Sequence, residues 1–184
     1  MIAYHISKKE YEVGKTYSIH DYDGESCYHK SLTEEQKLIN DSIDNFRPQS
    51  EPSRKKCFYA FENKDYCYGF VDSLIGYNLY KVEIDACTPH PMYLIDFLNR
   101  NINLLSDLSY VYWDNSLSHK FKVKEYIGTE IRIIDIINIP QHNAIQKTIL
   151  SMDYNHDKDV CCSICRKKGL KIQQRTYSLL NTSI

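Results

Sequence analysis

The patterned segments of this 184-residue chain are short, and their order is strand, helix, then strands separated by short helices, ending in strands. That order constrains the fold more than any composition figure does. A parallel sheet needs a crossover of a dozen or more residues, usually a helix, between strands, and no such regular alternation is present. Residues 2–6 (Ile-Ala-Tyr-His-Ile) read as an opening strand, 16–19 as a second short one, and 57–61 (Cys-Phe-Tyr-Ala-Phe) as a compact third. Residues 77–84 alternate with period two, the mark of a strand with one wet face. Residues 120–125 and 129–137 read as two more strands, with Gly128 as a turn or bulge between them.

Helices are expected in between. Ser31 or Thr33 can cap a helix whose first turn holds Glu34 and Glu35, followed by Leu38, Ile39, Ile43 and Phe46 at helical spacing and stopped by Pro48. Asn63 can cap a second helix over 62–70. Residues 92–98 and 104–113 also read as helical, and His90-Pro91 as a loop. The expected class is α+β with a mixed or antiparallel sheet and flanking short helices. Pro140 marks a boundary. It separates a domain over 1–139 from a C-terminal extension over 140–184, with a helix over 141–152, a cysteine cluster and a basic run.

A chain of this length can bury a core without staples. Seven cysteines, an odd number, rule out a complete internal disulfide framework. The chain opens without a charged and then apolar leader, and no apolar run reaches the roughly 18 residues of a membrane span. The expectation is a cytoplasmic protein, with no membrane partner. A net charge of −1 gives no whole-chain field for nucleic acid. Only 6 glycines occur, none in a dinucleotide or phosphate-loop spacing. Tyrosine is abundant, at 16 residues, which suits half-buried strands or the wall of a ligand cleft.

Four constellations carry possible chemistry. Tyr4-His5 lies on the opening strand; His5 is either a satisfied structural residue or a ligand contact. Pro52-Ser53-Arg54 precedes the aromatic strand. Arg54 could clamp a phosphate there, with Tyr59 and Phe61 as walls for a flat ring, or the strand is simply buried with a solvated arginine at its mouth. Glu125 ends a basic segment, and Glu130 is a second candidate one hairpin away. A carboxylate facing a cleft can stabilise an oxocarbenium-like centre; the plainer reading is a charged surface strand. Finally, Cys162-Ser-Ile-Cys165 is half of a zinc site that His156 and His142 could complete. Reduced thiols are the favoured reading there, so no metal site is assigned.

Taken together, Tyr4-His5, Pro52-Ser53-Arg54 with 57–61, and Lys124-Glu125-Tyr126 resemble the ADP-ribosyltransferase superfamily, in particular small bacterial toxin- or effector-like members, over roughly residues 1–138. The resemblance implies a split sheet with NAD as co-substrate across the split. It implies that His5 holds the adenosine ribose, that Ser53 and Arg54 position phosphate or ribose, and that Tyr59 and Phe61 flank nicotinamide. Glu125 would stabilise the ribose cation as nicotinamide leaves. The implied activity is mono-ADP-ribosylation of a protein substrate, in the cytoplasm or in a host cell after secretion. Residue 123 is Val, so the paired-acid motif of arginine-modifying members is missing. The alternative is a catalytically inactive interaction module on the same fold.

Overall fold

The computed structural model describes residues 1–22, 27–30, 32–69, 76–86, 88–115 and 123–139. The expected helix over 141–152, the cysteine cluster and the basic run lie outside the described residues. The elements are β1 (Ile2–Ser7), β2 (Thr16–Ser18), α1 (Cys27–Lys30), α2 (Glu34–Asp44), β3 (Phe58–Phe61), α3 (Lys64–Gly69), β4 (Asn78–Ile84), β5 (His90–Pro91), α4 (Met92–Arg100), α5 (Leu105–Leu108), β6 (Lys124–Gly128) and β7 (Glu130–Ile137). Short 3₁₀ turns cover Ile19–Asp21, Ile102–Leu104 and Ser109–Trp113.

Seven strands form one open sheet in the order β2-β7-β4-β1-β3-β6-β5, and every pairing is antiparallel. The protein is therefore α+β, as the order of its patterns implied. The joint between β1 and β3 is narrow: one residue pair, Tyr4 with Phe61, carries it. The neighbouring joints run over six pairs for β1–β4 and four for β3–β6.

Side-chain alternation sorts the strands into two faces. Tyr59, Phe61, Leu79 and Ile127 point to a helical layer. Ile39, Ile43, Leu94, Phe97, Leu98 and Leu108 pack there, with α3 residues Cys67 and Tyr68 closing the β1 side. The opposite face carries Ala3, Phe58, Ala60, Tyr80, Val82, Ile84, Tyr126, Ile131 and Ile133, covered by Tyr11 and Ile19. The helical layer starts at Thr33, whose hydroxyl accepts from Gln36 N while the Gln36 side chain accepts from Thr33 N, a reciprocal cap.

Two boundaries differ from the sequence expectation. The strand expected over 120–125, of which 120–122 lie outside the described residues, is observed at 124–128, its register set by β3, where Phe58 faces Gly128 and Phe61 faces Glu125. His90-Pro91, expected as a loop, is the edge strand beyond it, with His90 opposite Glu125. Both shifts come from long-range ladder pairing, which local periodicity does not encode. Gly128 itself is dictated by a close approach: a Cβ there would meet Asp85 Oδ1 at 2.2 Å.

Candidate functional site

Three buried side chains of the helical face, Asn40, Tyr112 and Glu125, converge on Arg54. The short turn 53–56 delivers it. Ser53 Oγ donates to Asp44 Oδ2 at 2.5 Å and Arg54 N donates to Asp44 Oδ1 at 3.1 Å, so the end of α2 pins the loop ahead of β3. The Arg54 side chain then runs inward and is 1% exposed. Its Nε donates to Asn40 Oδ1 at 2.7 Å. One terminal nitrogen donates to both Glu125 Oε1 and the Tyr112 hydroxyl. Tyr112 in turn donates to Glu125 Oε1 at 2.7 Å. The guanidinium also lies over the rings of Tyr59 and Tyr112, at 5.0 and 4.5 Å.

Burial opposes the charge on Arg54, yet Glu125 and the phenol and thiol groups around it hold the guanidinium well above its ordinary pKa. Burial likewise pushes the Tyr112 hydroxyl upward, so it stays a donor. It pushes the Cys57 thiol up to about 12, which leaves that sulfur unreactive. Around this centre His90 stacks on Tyr112 at 4.6 Å with planes 10° apart, and its Nδ1 lies 3.1 Å from Tyr112 O. His90 Nε2 faces Glu51 at 3.8 Å, and burial lowers its pKa.

His5 lies elsewhere. Its strand partner is Tyr80, and its ring touches Tyr11, Phe58 and Tyr80, all on the face away from the helices. Its Nδ1 sits 2.7 Å from Tyr59 O, a side-chain contact from β1 to β3 beside their narrow joint. Nε2 is buried and has no hydrogen-bond partner among the described residues. Burial lowers its pKa to about 4, so the ring is neutral at pH 7.

The six residues singled out from sequence are thus divided by the sheet. Arg54, Tyr59, Phe61 and Glu125 share the helical face and are fully enclosed. His5 is on the other face, and Ser53 stands at the loop. Ser53 also borders a surface pocket of about 370 Å³ with His20, Tyr22, Lys56 and Thr129. Glu130, expected one hairpin away, is exposed at the start of β7, which pairs with β2 and β4 and not with β6, so no hairpin joins it to Glu125. Sequence reading passed over Asn40 and His90. Asn40 is a polar residue beside Ile39 on the inner stripe of an amphipathic helix, and such a residue signals a buried partner. Among the described residues no His, Cys, Asp and Glu cluster fits a metal, and no helix is long and apolar enough to cross a membrane.

Comparison with protein-family models, with curated proteins and with solved structures finds no match for this chain.

Proposed function

We propose that the chain is an ADP-ribosyltransferase-like interaction module that does not turn over NAD through Glu125. The observation that carries this reading is the Arg54–Glu125 pair. A carboxylate lowers the cost of a developing ribose cation only if its charge is directed at the reacting carbon. Here Glu125 is 1% exposed and its Oε1 already accepts from a guanidinium and a phenol. Tyr59 and Phe61 are 3% and 0% exposed, so neither ring offers a face to nicotinamide. The residues present do not fit NAD in this arrangement, and no catalytic step is derived through it.

One specific observation favours the transferase as a second reading. The three strands that the resemblance requires are consecutive in the sheet: β1 with His5, β3 with its aromatic run, and β6 with Glu125. For turnover, Arg54 must leave Glu125 and the sheet must open at the β1–β3 joint, at the cost of an uncompensated buried charge.

The test is to incubate the full chain with NAD, measure nicotinamide release by chromatography, and measure NAD binding by calorimetry. The expected result is neither release nor binding by wild type, with Glu125→Gln lowering stability. Release that Glu125→Gln abolishes while the circular dichroism spectrum is unchanged gives the transferase reading its place.

A further inference from the structure

The outer side of β7 is covered along only part of its length. β2 pairs with Glu130, Ile131 and Arg132. The turn before β2 adds two bonds at Ile133: Gly14 N donates to Ile133 O and Ile133 N donates to Lys15 O, both at 2.9 Å. From Ile134 to Ile137 no strand among the described residues pairs with that side. A row of backbone donors and acceptors on an edge is a template for another strand.

The side chains make this edge a strong template. Of the seven residues 133–139, five are isoleucine, and Asp135 carries the one charge. Segments of this length with high β propensity, little charge and no proline are the ones that pair with copies of themselves. Ile134 and Ile136 are 37% and 52% exposed, and Val13, which precedes the Gly14 bond to Ile133, is 54% exposed.

Two local features oppose pairing. The ladder to β4 skips Ile134: Lys81 faces Asp135 while Val82 faces Ile133, a bulge that bends the edge. The other feature is Asp135 itself. Ile136 N donates to Asp135 Oδ1 at 2.8 Å, so the amide an incoming strand needs is already taken. The carboxylate that takes it is exposed, with Lys81 on the same rung of β4. A strand arriving there must break that bond and take the charge out of water.

We propose that Asp135 guards the β7 edge, and that the surface it closes is one that takes a second copy of this chain, strand against strand. The edge is its own complement. About a two-fold axis at Ile136, Ile136 meets its copy, Ile134 meets Asn138 and Asp135 meets Ile137, so no like charges stand opposite each other. The opposing cost is then the bulge and the desolvation of Asp135. This inference is independent of whether NAD is used.

The experiment is sedimentation velocity of the full chain over a concentration series, with urea midpoints to establish that each variant is folded. Wild type is expected to stay monomeric. Asp135→Val removes both acceptor and charge and should associate at least about tenfold more tightly. Asp135→Asn, the milder variant, keeps an acceptor without the charge and should fall between the two. Asp135→Lys restores a charge to the edge and should return the protein to monomer. Adding Ile136→Pro to Asp135→Val removes the N–H and should abolish association. Hydrogen exchange of the associated form should slow at residues 134–138 and stay unchanged along α2. Folded Val and Asn variants that remain monomeric overturn the proposal. So does association that survives Ile136→Pro or persists with Asp135→Lys, protection centred on another surface, or a wild type that already dimerises through 134–138.

Discussion

Arg54 and Glu125 form an ion pair in which both side chains are 1% exposed. Two charges removed from water each lose several kcal/mol of solvation, and the pair repays this through mutual attraction and the bonds to Asn40 and Tyr112. Glu125→Gln leaves the guanidinium buried without its counter-charge, and a loss of about 3–5 kcal/mol in urea unfolding is expected. Replacing both together, Arg54→Met with Glu125→Leu, should recover most of that loss. A double variant as unstable as the single one would show that the pair's hydrogen bonds, rather than its charge balance, hold the site. His5 gives a pH signature. Its folded pKa near 4 lies below its ordinary 6.5, so between those values the unfolded chain binds more protons than the native one. Stability is then full above pH 6.5 and is lost as pH falls towards 4, by up to roughly 3 kcal/mol. His90, also lowered by burial, acts in the same direction. His5→Phe should flatten the slope between pH 7 and pH 4.5, read as denaturant midpoints at each pH. An unchanged slope would mean that His5 does not titrate as its burial demands.

At the scale of elements, two local devices can be tested, a helix cap and a glycine. Thr33→Ala removes one side of the reciprocal cap of α2, and about 1 kcal/mol should be lost without a change in fold. Gly128→Ala is expected to be worse, about 1–3 kcal/mol, because its methyl must displace the Asp85 carboxylate and Ile84 Cγ1, the latter at 2.7 Å. Asp85 is not free to yield, since Thr129 Oγ1 and Glu130 N both donate to it. Thermal melts of the two variants check the order. The elements with strong local signals were readable in the chain: α2 from its cap and apolar spacing, β4 from its period-two alternation, β7 from its β-branched run. β5 was not readable, because two residues carry no period and become a strand only by pairing with β6.

Across the whole molecule the sheet acts as a wall between two cores. Cys57 and Cys67 are sealed on its helical side, with both thiols raised by burial. Neither should react with iodoacetamide in the native protein over hours at pH 8, and both should react at once in denaturant, as judged by peptide mass spectrometry. Selective native labelling of Cys67 would indicate that α3 opens separately from the rest.

The sequence alone determined the α+β class, because strand and helix periods are local properties and their order points to an antiparallel or mixed sheet; the ladder pairing then made every joint antiparallel. It also singled out Arg54, just ahead of the aromatic strand, and Glu125, at the end of a basic segment, as candidate site residues. Only the tertiary structure decided what they do. They stand 71 positions apart, and the register of β3 against β6 brings the Glu125 carboxylate under the guanidinium. His5 shows the same limit in reverse. Its neighbour Tyr4 faces Phe61 and through it the Glu125 side, whereas His5 points to the opposite core. Side chains on a strand alternate faces at every residue, so a one-residue step separates sharing a cleft from standing on opposite sides of the sheet.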